Sequence, residues 1–206
     1  MHPKIFDIHS HLNFRDFDGD REEIIKRMQE NGIWTICVGA DAKTSQGCVE
    51  LAEKNENIYA AVGLHPNDKE VFDQNFYREL AQHPKVVAIG ECGLDFFRNQ
   101  EARNSKHEIR DKQSELFKKQ IELALKLDKP LMIHCRDAHD EVIEILKARL
   151  AVGQAESCGL KDKLRGNIHF FSGTWEQAQK YFELGFTISF AGPVTFSDQY
   201  DETIKN

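Results

Sequence analysis

Near the start of the chain Asp7, His9 and His11 alternate with Ile8 and Ser10. On an extended strand the side-chain period is two, so all three polar groups share one face. A single inward histidine is ordinarily a hydrogen-bonded core residue. An HxH pair preceded by Asp at a strand end is better explained by a small cation that both imidazoles reach, with Asp7 placed to orient a ring. Three later runs are apolar and then finish on a ligand-type side chain: Ala88-Ile89-Gly90-Glu91, Met132-Ile133-His134 and Asn167-Ile168-His169. If the C-terminal ends of these strands open on one mouth, His9, His11, Glu91, His134 and His169 converge there. Glu91 is the natural bridge, because a carboxylate offers two oxygens. The expected centre holds two divalent metal ions, for which magnesium, manganese and zinc all suit the donor set. Such a pair activates water on one side and stabilises phosphoryl charge on the other, with Glu91 taking part in catalysis.

Two further residues are catalytic candidates. His65, in His65-Pro66, ends a strand at the same mouth and is a substrate contact or a structural histidine. Arg136 lies one pleat repeat beyond His134, so its guanidinium either clamps a phosphate or pairs with Asp137, Asp95 or Glu91. Asp95, four residues after Glu91, is placed to orient a ligand or Arg136. Other features carry less. His134 and Cys135 are strand neighbours facing opposite ways, which disfavours a Cys-His nucleophile pair. Ser172-Gly173 has no GxSxG context and reads as a turn. Phe170, Phe171, Phe190 and Phe196 are most simply core or rim, although an aromatic at the mouth can stack on a base. Gly63, Gly90 and Gly93 lack GxGxxG spacing and read as tight-turn positions.

The elements that must position these groups follow from hydrophobic period. Seven strand-like runs are expected at 5–11, 33–39, 58–64, 86–91, 130–135, 167–171 and 186–190. Between them, segments such as 21–30 and 113–127 carry apolar residues at three- and four-residue spacing, as helices covering a sheet do. Thr174 with Gln177 forms a capping box. The stretch 97–110, with Arg98, Arg103, Lys106, His107 and Arg110, follows a strand and overhangs the mouth in a barrel; it reads as a solvated surface loop, with a phosphate-contacting loop as the alternative. The stretch 152–165 reads as an extended connection. Strands alternating with helices suit a parallel sheet, either a TIM-type (β/α) barrel or an open doubly wound sheet. Convergence of ligands from distant strands favours the barrel, because an open sheet would spread them along its edge.

At 206 residues, 40% hydrophobic and 30% charged, the chain fits a single hydrolase domain spanning 1–206. It has no apolar run long enough for a membrane and no signal-like start, so a soluble, cytoplasmic protein without membrane partners, monomeric by default, is expected. Five cysteines without a CxxC pair argue against disulfide frameworks and thiolate zinc sites. A net charge of −7 disfavours a protein that coats nucleic acid, but does not exclude a nuclease whose local field is set by bound cations.

Taken in order, DIHSH at 7–11, VGLHP at 62–66, GECGLDF at 90–96, HCRDA at 134–138 and HFFSG at 169–173 resemble the TatD family of metal-dependent deoxyribonucleases. The resemblance runs along the whole chain. It implies an amidohydrolase-superfamily barrel and a binuclear centre with His9, His11 and Glu91 at one metal and Glu91, His134 and His169 at the other. It also implies hydrolysis of phosphodiester bonds in DNA, with RNA as the other nucleic acid, commonly from the 3′ end, and His65 and Arg136 near the substrate phosphate. Family members add an eighth strand with an ETDxPY-like segment whose Asp ligates a metal. Here the resemblance runs through Gly192-Pro193-Val194-Thr195-Phe196, and the chain then stops at Asn206. The eighth βα unit is therefore expected to be lacking, as in a piece of a longer product. Asp198, Asp201 and Glu202 are not ligand candidates, since no strand precedes them. Two alternatives stand beside the nuclease: another amidohydrolase-type hydrolase, and a catalytically impaired metal-binding barrel fragment.

Overall fold

The computed structural model describes residues 2–97, 106–155 and 164–206. Seven strands alternate with helices: β1 (Ile5–Ser10), α1 (Arg21–Asn31), β2 (Ile33–Val38), α2 (Ala42–Lys54), β3 (Ile58–Val62), α3 (Gln74–Leu80), β4 (Val86–Asp95), α4 (Lys106–Leu127), β5 (Leu131–Arg136), α5 (His139–Ala155), β6 (Gly166–Ile168), α6 (Trp175–Glu183), β7 (Phe186–Ile188) and α7 (Asp201–Lys205). Each strand pairs in parallel with the next in chain order, β1 through β7. That sequential order belongs to a TIM-type barrel, since a doubly wound sheet reverses direction part-way.

All seven expected strands are present, with shifted ends. β4 runs on through Asp95, while β6 stops at Ile168, so His169 sits just past its strand rather than on it. The region 97–110 is not wholly loop. Lys106 to Arg110 belong to α4, because Ile109 continues upstream the helical face of Gln113, Leu116 and Phe117. Arg110 lies 4.4 Å from the Phe96 ring centroid and 3.8 Å from Glu141, so it is tied to the scaffold. Arg98 and Arg103 lie outside the described residues. Likewise 152–155 extend α5 rather than forming an extended connection, and 156–163 fall outside the described residues.

The main core lies between the outer sheet face and the helices, where Ile58, Leu94, Phe117, Ile133 and Tyr181 are fully buried. The inner face is lined by a smaller cluster of Val38, Ala61, Ala88 and Met132. Gly90 and Gly93 are not turn residues. Both lie inside β4 with φ of 153° and 133°, and an added Cβ would strike the carbonyls of Met132 and His134 on β5. They permit close strand approach beneath the site, and Gly63 does the same against Gly90. The capping box at Thr174 and Gln177 is formed as expected. Cys37, Cys48, Cys92 and Cys135 are free and buried. No described helix is long and apolar enough to cross a membrane.

His139 opens α5 and is 7% exposed, with Nδ1 3.2 Å from the Tyr181 hydroxyl and Nε2 buried without a hydrogen-bond partner among the described residues. Burial pushes its imidazole down to about 4. The unfolded chain therefore binds a proton that the folded one refuses. The associated stability is complete above about pH 6.5 and is lost as pH falls toward 4, by about 3 kcal/mol in all at about 1.4 kcal/mol per unit. Urea denaturation of metal-free protein at pH 7 and pH 4.5 should show a steeper acid loss in wild type than in His139→Phe. Identical losses would remove His139 from this role.

Candidate metal centre

Every ligand expected from the sequence reaches Glu91. Glu91 is buried, and β4 delivers its carboxylate to within reach of histidines carried by β1, by β5 and by the segment after β6. Its Oε2 lies 3.8 Å from His9 Nε2 and 3.6 Å from His11 Nε2, and these two nitrogens are 3.1 Å apart. Its Oε1 lies 3.0 Å from His134 Nδ1 and 2.8 Å from His169 Nε2. The carboxylate thus meets the four expected histidine ligands as two pairs, one per oxygen, with His65 a further neighbour of Oε1 at 3.8 Å. His9 and His169 connect the halves, with rings stacked 3.8 Å apart at 11°.

These groups fit divalent cations on their own chemistry. Around an ion with ligands at about 2.1 Å, tetrahedral neighbours are about 3.4 Å apart, close to the spacing of His9, His11 and the Oε2 oxygen. His11 Nδ1 sits 2.9 Å from the Val38 carbonyl and must donate to it, which leaves the lone pair on Nε2, facing the cluster. His9 is pushed down to about 2 by burial and by neighbouring His169, so it is neutral and able to ligate at ordinary pH. Its Nδ1 is buried without a hydrogen-bond partner among the described residues. For Glu91, burial alone would raise the carboxyl. The hydrogen bonds with His134 and His169 outweigh it and hold the group well below the usual range, hence ionised. For His134, burial alone would lower the imidazole, but Asp95 and Glu91 together raise it to about 9.

His65 and Arg136 sit in the same neighbourhood with different attachments. His65 Nε2 is 3.8 Å from Glu91 Oε1, and its ring meets that of His134 edge-on at 4.5 Å. Its Nδ1 accepts from the Asn67 backbone N–H, so Nε2 carries the proton and points a donor, not a lone pair, toward the cluster. That favours substrate contact over ligation, although His65, Asp95 and His134 also stand close enough to enclose an ion. Arg136 lines the same cavity as Glu91, His134 and His169, as the pleat repeat implies, with its guanidinium carbon 3.7 Å from the Phe97 ring centroid.

Asp7 departs from expectation. The β1–β2 register shifts between Asp7 and Ser10, and the exposed Asp7 carboxylate accepts from the His9 backbone N–H rather than from a ring. Ring orientation falls instead to Asp95, 1% exposed, whose Oδ2 lies 3.2 Å from His134 Nε2. Asn67 Nδ2 donates to that same oxygen at 2.7 Å. Buried Gln113 then holds the assembly: its Nε2 donates to Asn67 Oδ1 and to the Asp95 carbonyl, and its Oε1 accepts from the Asp95 N–H. Gln120, two helical turns along α4, brackets Leu64 through both its N–H and its carbonyl. Sequence reasoning missed Asn67, Gln113 and Gln120. The available signal was two glutamines on the otherwise apolar face of Phe117, Ile121 and Ala124.

The family model for the TatD-related DNases matches residues 6–206. The chain belongs to this family. Among its relatives, the metal-dependent hydrolase YabD of Bacillus subtilis is 38% identical over 94% of the chain and 71% of its own length. A protein of Pantoea named as the 3′-5′ ssDNA/RNA exonuclease TatD is 34% identical over 91% of the chain and 68% of its own length. The crystal structure of YjjV, a TatD homologue from Escherichia coli, superposes with a TM-score of 0.77 at 30% identity, covering 98% of the chain and 74% of that protein. A TatD-family hydrolase from Entamoeba histolytica, 22% identical with a TM-score of 0.73, shares the fold. As a family member, this chain is a metal-dependent hydrolase.

Proposed function

We propose that the chain hydrolyses phosphodiester bonds of nucleic acid, single-stranded DNA first among its substrates and RNA second, from the 3′ end, using two divalent cations. The observation that supports this reading is the division of the Glu91 oxygens, Oε2 toward His9 and His11 and Oε1 toward His134 and His169. Two sites sharing one carboxylate suit in-line displacement at phosphorus, where the attacking and leaving oxygens both develop charge. The exonuclease name of the Pantoea relative supports nucleic acid as the substrate.

Bound cations would supply Lewis acidity to a phosphoryl oxygen and lower the pKa of a bound water. The chain's own residues do the rest. Glu91 keeps both halves of the centre at a fixed separation. His65 presents Nε2–H toward a phosphate oxygen, and Arg136 offers a guanidinium at the same cavity wall. Asp95, clamped by Asn67 and Gln113, holds the His134 ring toward Glu91.

Metal-reconstituted protein and His134→Ala should be incubated with single-stranded DNA labelled at either end. Laddering from the 3′ end, reduced at least about 100-fold in the variant, is the expected result. Equal digestion by both proteins would sink the proposed site. Intact DNA with metal bound would leave an amidohydrolase acting on another ester or amide.

A further inference from the structure

We propose that the cavity beside the metal cluster is a nucleobase subsite and that Phe170 is its stacking platform. This rests on the phosphodiesterase reading above. It adds the part of the substrate that is held next to the cleaved phosphate.

The sequence offers four aromatic residues as candidates to meet a base, and the structure separates them. Phe171 is 1% exposed and packs edge-on against Phe190 at 6.3 Å, while Phe190 in turn meets Tyr200 at 6.0 Å. Those rings are core. Phe196 is exposed but does not line the cavity. Phe170 is 44% exposed and does line it, and among the described residues its ring pairs with no other ring.

Three consecutive residues after β6 go to three destinations: His169 to Glu91, Phe170 to the mouth, and Phe171 to the core. The backbone achieves this with a φ of 47° at Phe170, a left-handed conformation that residues with a side chain rarely adopt. An apolar ring held in that conformation against solvent, one residue from a metal-ligand candidate, is accounted for by something that covers it during turnover.

The occupant follows from the cavity's other walls. Its volume is about 580 Å³, within the range of small-molecule sites, and Glu91, His134 and His169 are among its walls. Arg136 stacked on Phe97 forms a second planar wall, cationic rather than acidic. A ligand that is anionic at one end and a flat π-system at the other matches this layout, and a nucleotide is such a molecule. Stacking reads the face of a base and not its edges, so the subsite accepts any base, purines most tightly.

Calorimetry on metal-reconstituted protein with deoxyadenosine 5′-monophosphate and with 2-deoxyribose 5-phosphate tests this directly. Wild type should bind the nucleotide roughly 5- to 150-fold more tightly than the sugar phosphate. Phe170→Ala should abolish that difference and leave sugar-phosphate affinity unchanged, and Phe170→Trp should preserve it. If wild type binds both ligands equally, there is no base subsite, while the phosphodiesterase reading stands. If Phe170→Ala weakens both ligands alike, Phe170 supports the fold and not a base. If wild type binds neither, the phosphodiesterase reading itself fails and the subsite with it.

Discussion

Glu91→Gln should cost at least about 10³-fold in kcat/KM on labelled single-stranded DNA, about 4 kcal/mol of transition-state stabilisation, and should deplete metal on both sides of the centre. The substitution keeps the volume of a buried side chain, so packing is conserved while the anion is lost. Both histidine pairs then face a neutral amide, one end of which is a donor. His11→Ala is the contrast: it removes a partner from the Oε2 side alone, and the His134–His169 half should keep its ion. Metal content after gel filtration separates the two outcomes, and full metal occupancy in Glu91→Gln would refute the bridging role. A proton linkage accompanies metal uptake. Asp95 and Glu91 raise metal-free His134 to about 9 against the opposing effect of burial, so at pH 7 the ring is charged and uptake must displace a proton. Apparent affinity should rise by up to about tenfold per pH unit between 7 and 9 and level off above. Calorimetry in buffers of different ionisation enthalpy would measure the released proton.

Gly93→Ala should be the most destabilising single methyl in the chain, by roughly 3–5 kcal/mol or by outright failure to fold. Two causes add. The φ of 133° is one that L side chains rarely adopt, and the new Cβ would run into the His134 carbonyl on β5. The backbone carrying His134 would have to move, so any folded fraction should also bind metal more weakly. Gly185→Ala provides the control: its φ is 82°, but a Cβ there meets nothing within 4 Å. It should cost only about 1 kcal/mol. Equal costs at both positions by chemical denaturation would show that backbone conformation, not strand contact, governs Gly93.

Much of this site is legible before folding because its ligands obey a local rule. His9 and His11 are separated by one pleat repeat, and Glu91 and His134 each end an apolar run. Strand period and the common direction of parallel strands then suffice to bring them together. Residues that act through long-range register are not legible this way. Asn67 sits in a loop and Gln113 on a helix, and each is polar for reasons visible only once β4 places Asp95 between them. Asp7 shows the opposite failure. The period of two assigned it to the ligand face, but the irregular pairing of β1 with β2 between Asp7 and Ser10 breaks that period, and its carboxylate serves the backbone. Gly90 and Gly93 were misassigned because glycine marks both a turn and a close strand approach, and only the neighbouring strand distinguishes them.

Hydrophobic period and side-chain type are local properties, so the alternation of strands and helices and the five ligand candidates can be read along the chain. Strand register and loop path set which Glu91 oxygen faces which histidine pair, that Asp95 rather than Asp7 orients a ring, and that of Phe170, Phe171, Phe190 and Phe196 it is Phe170 that lines the cavity. Register and path are fixed only when distant segments pack.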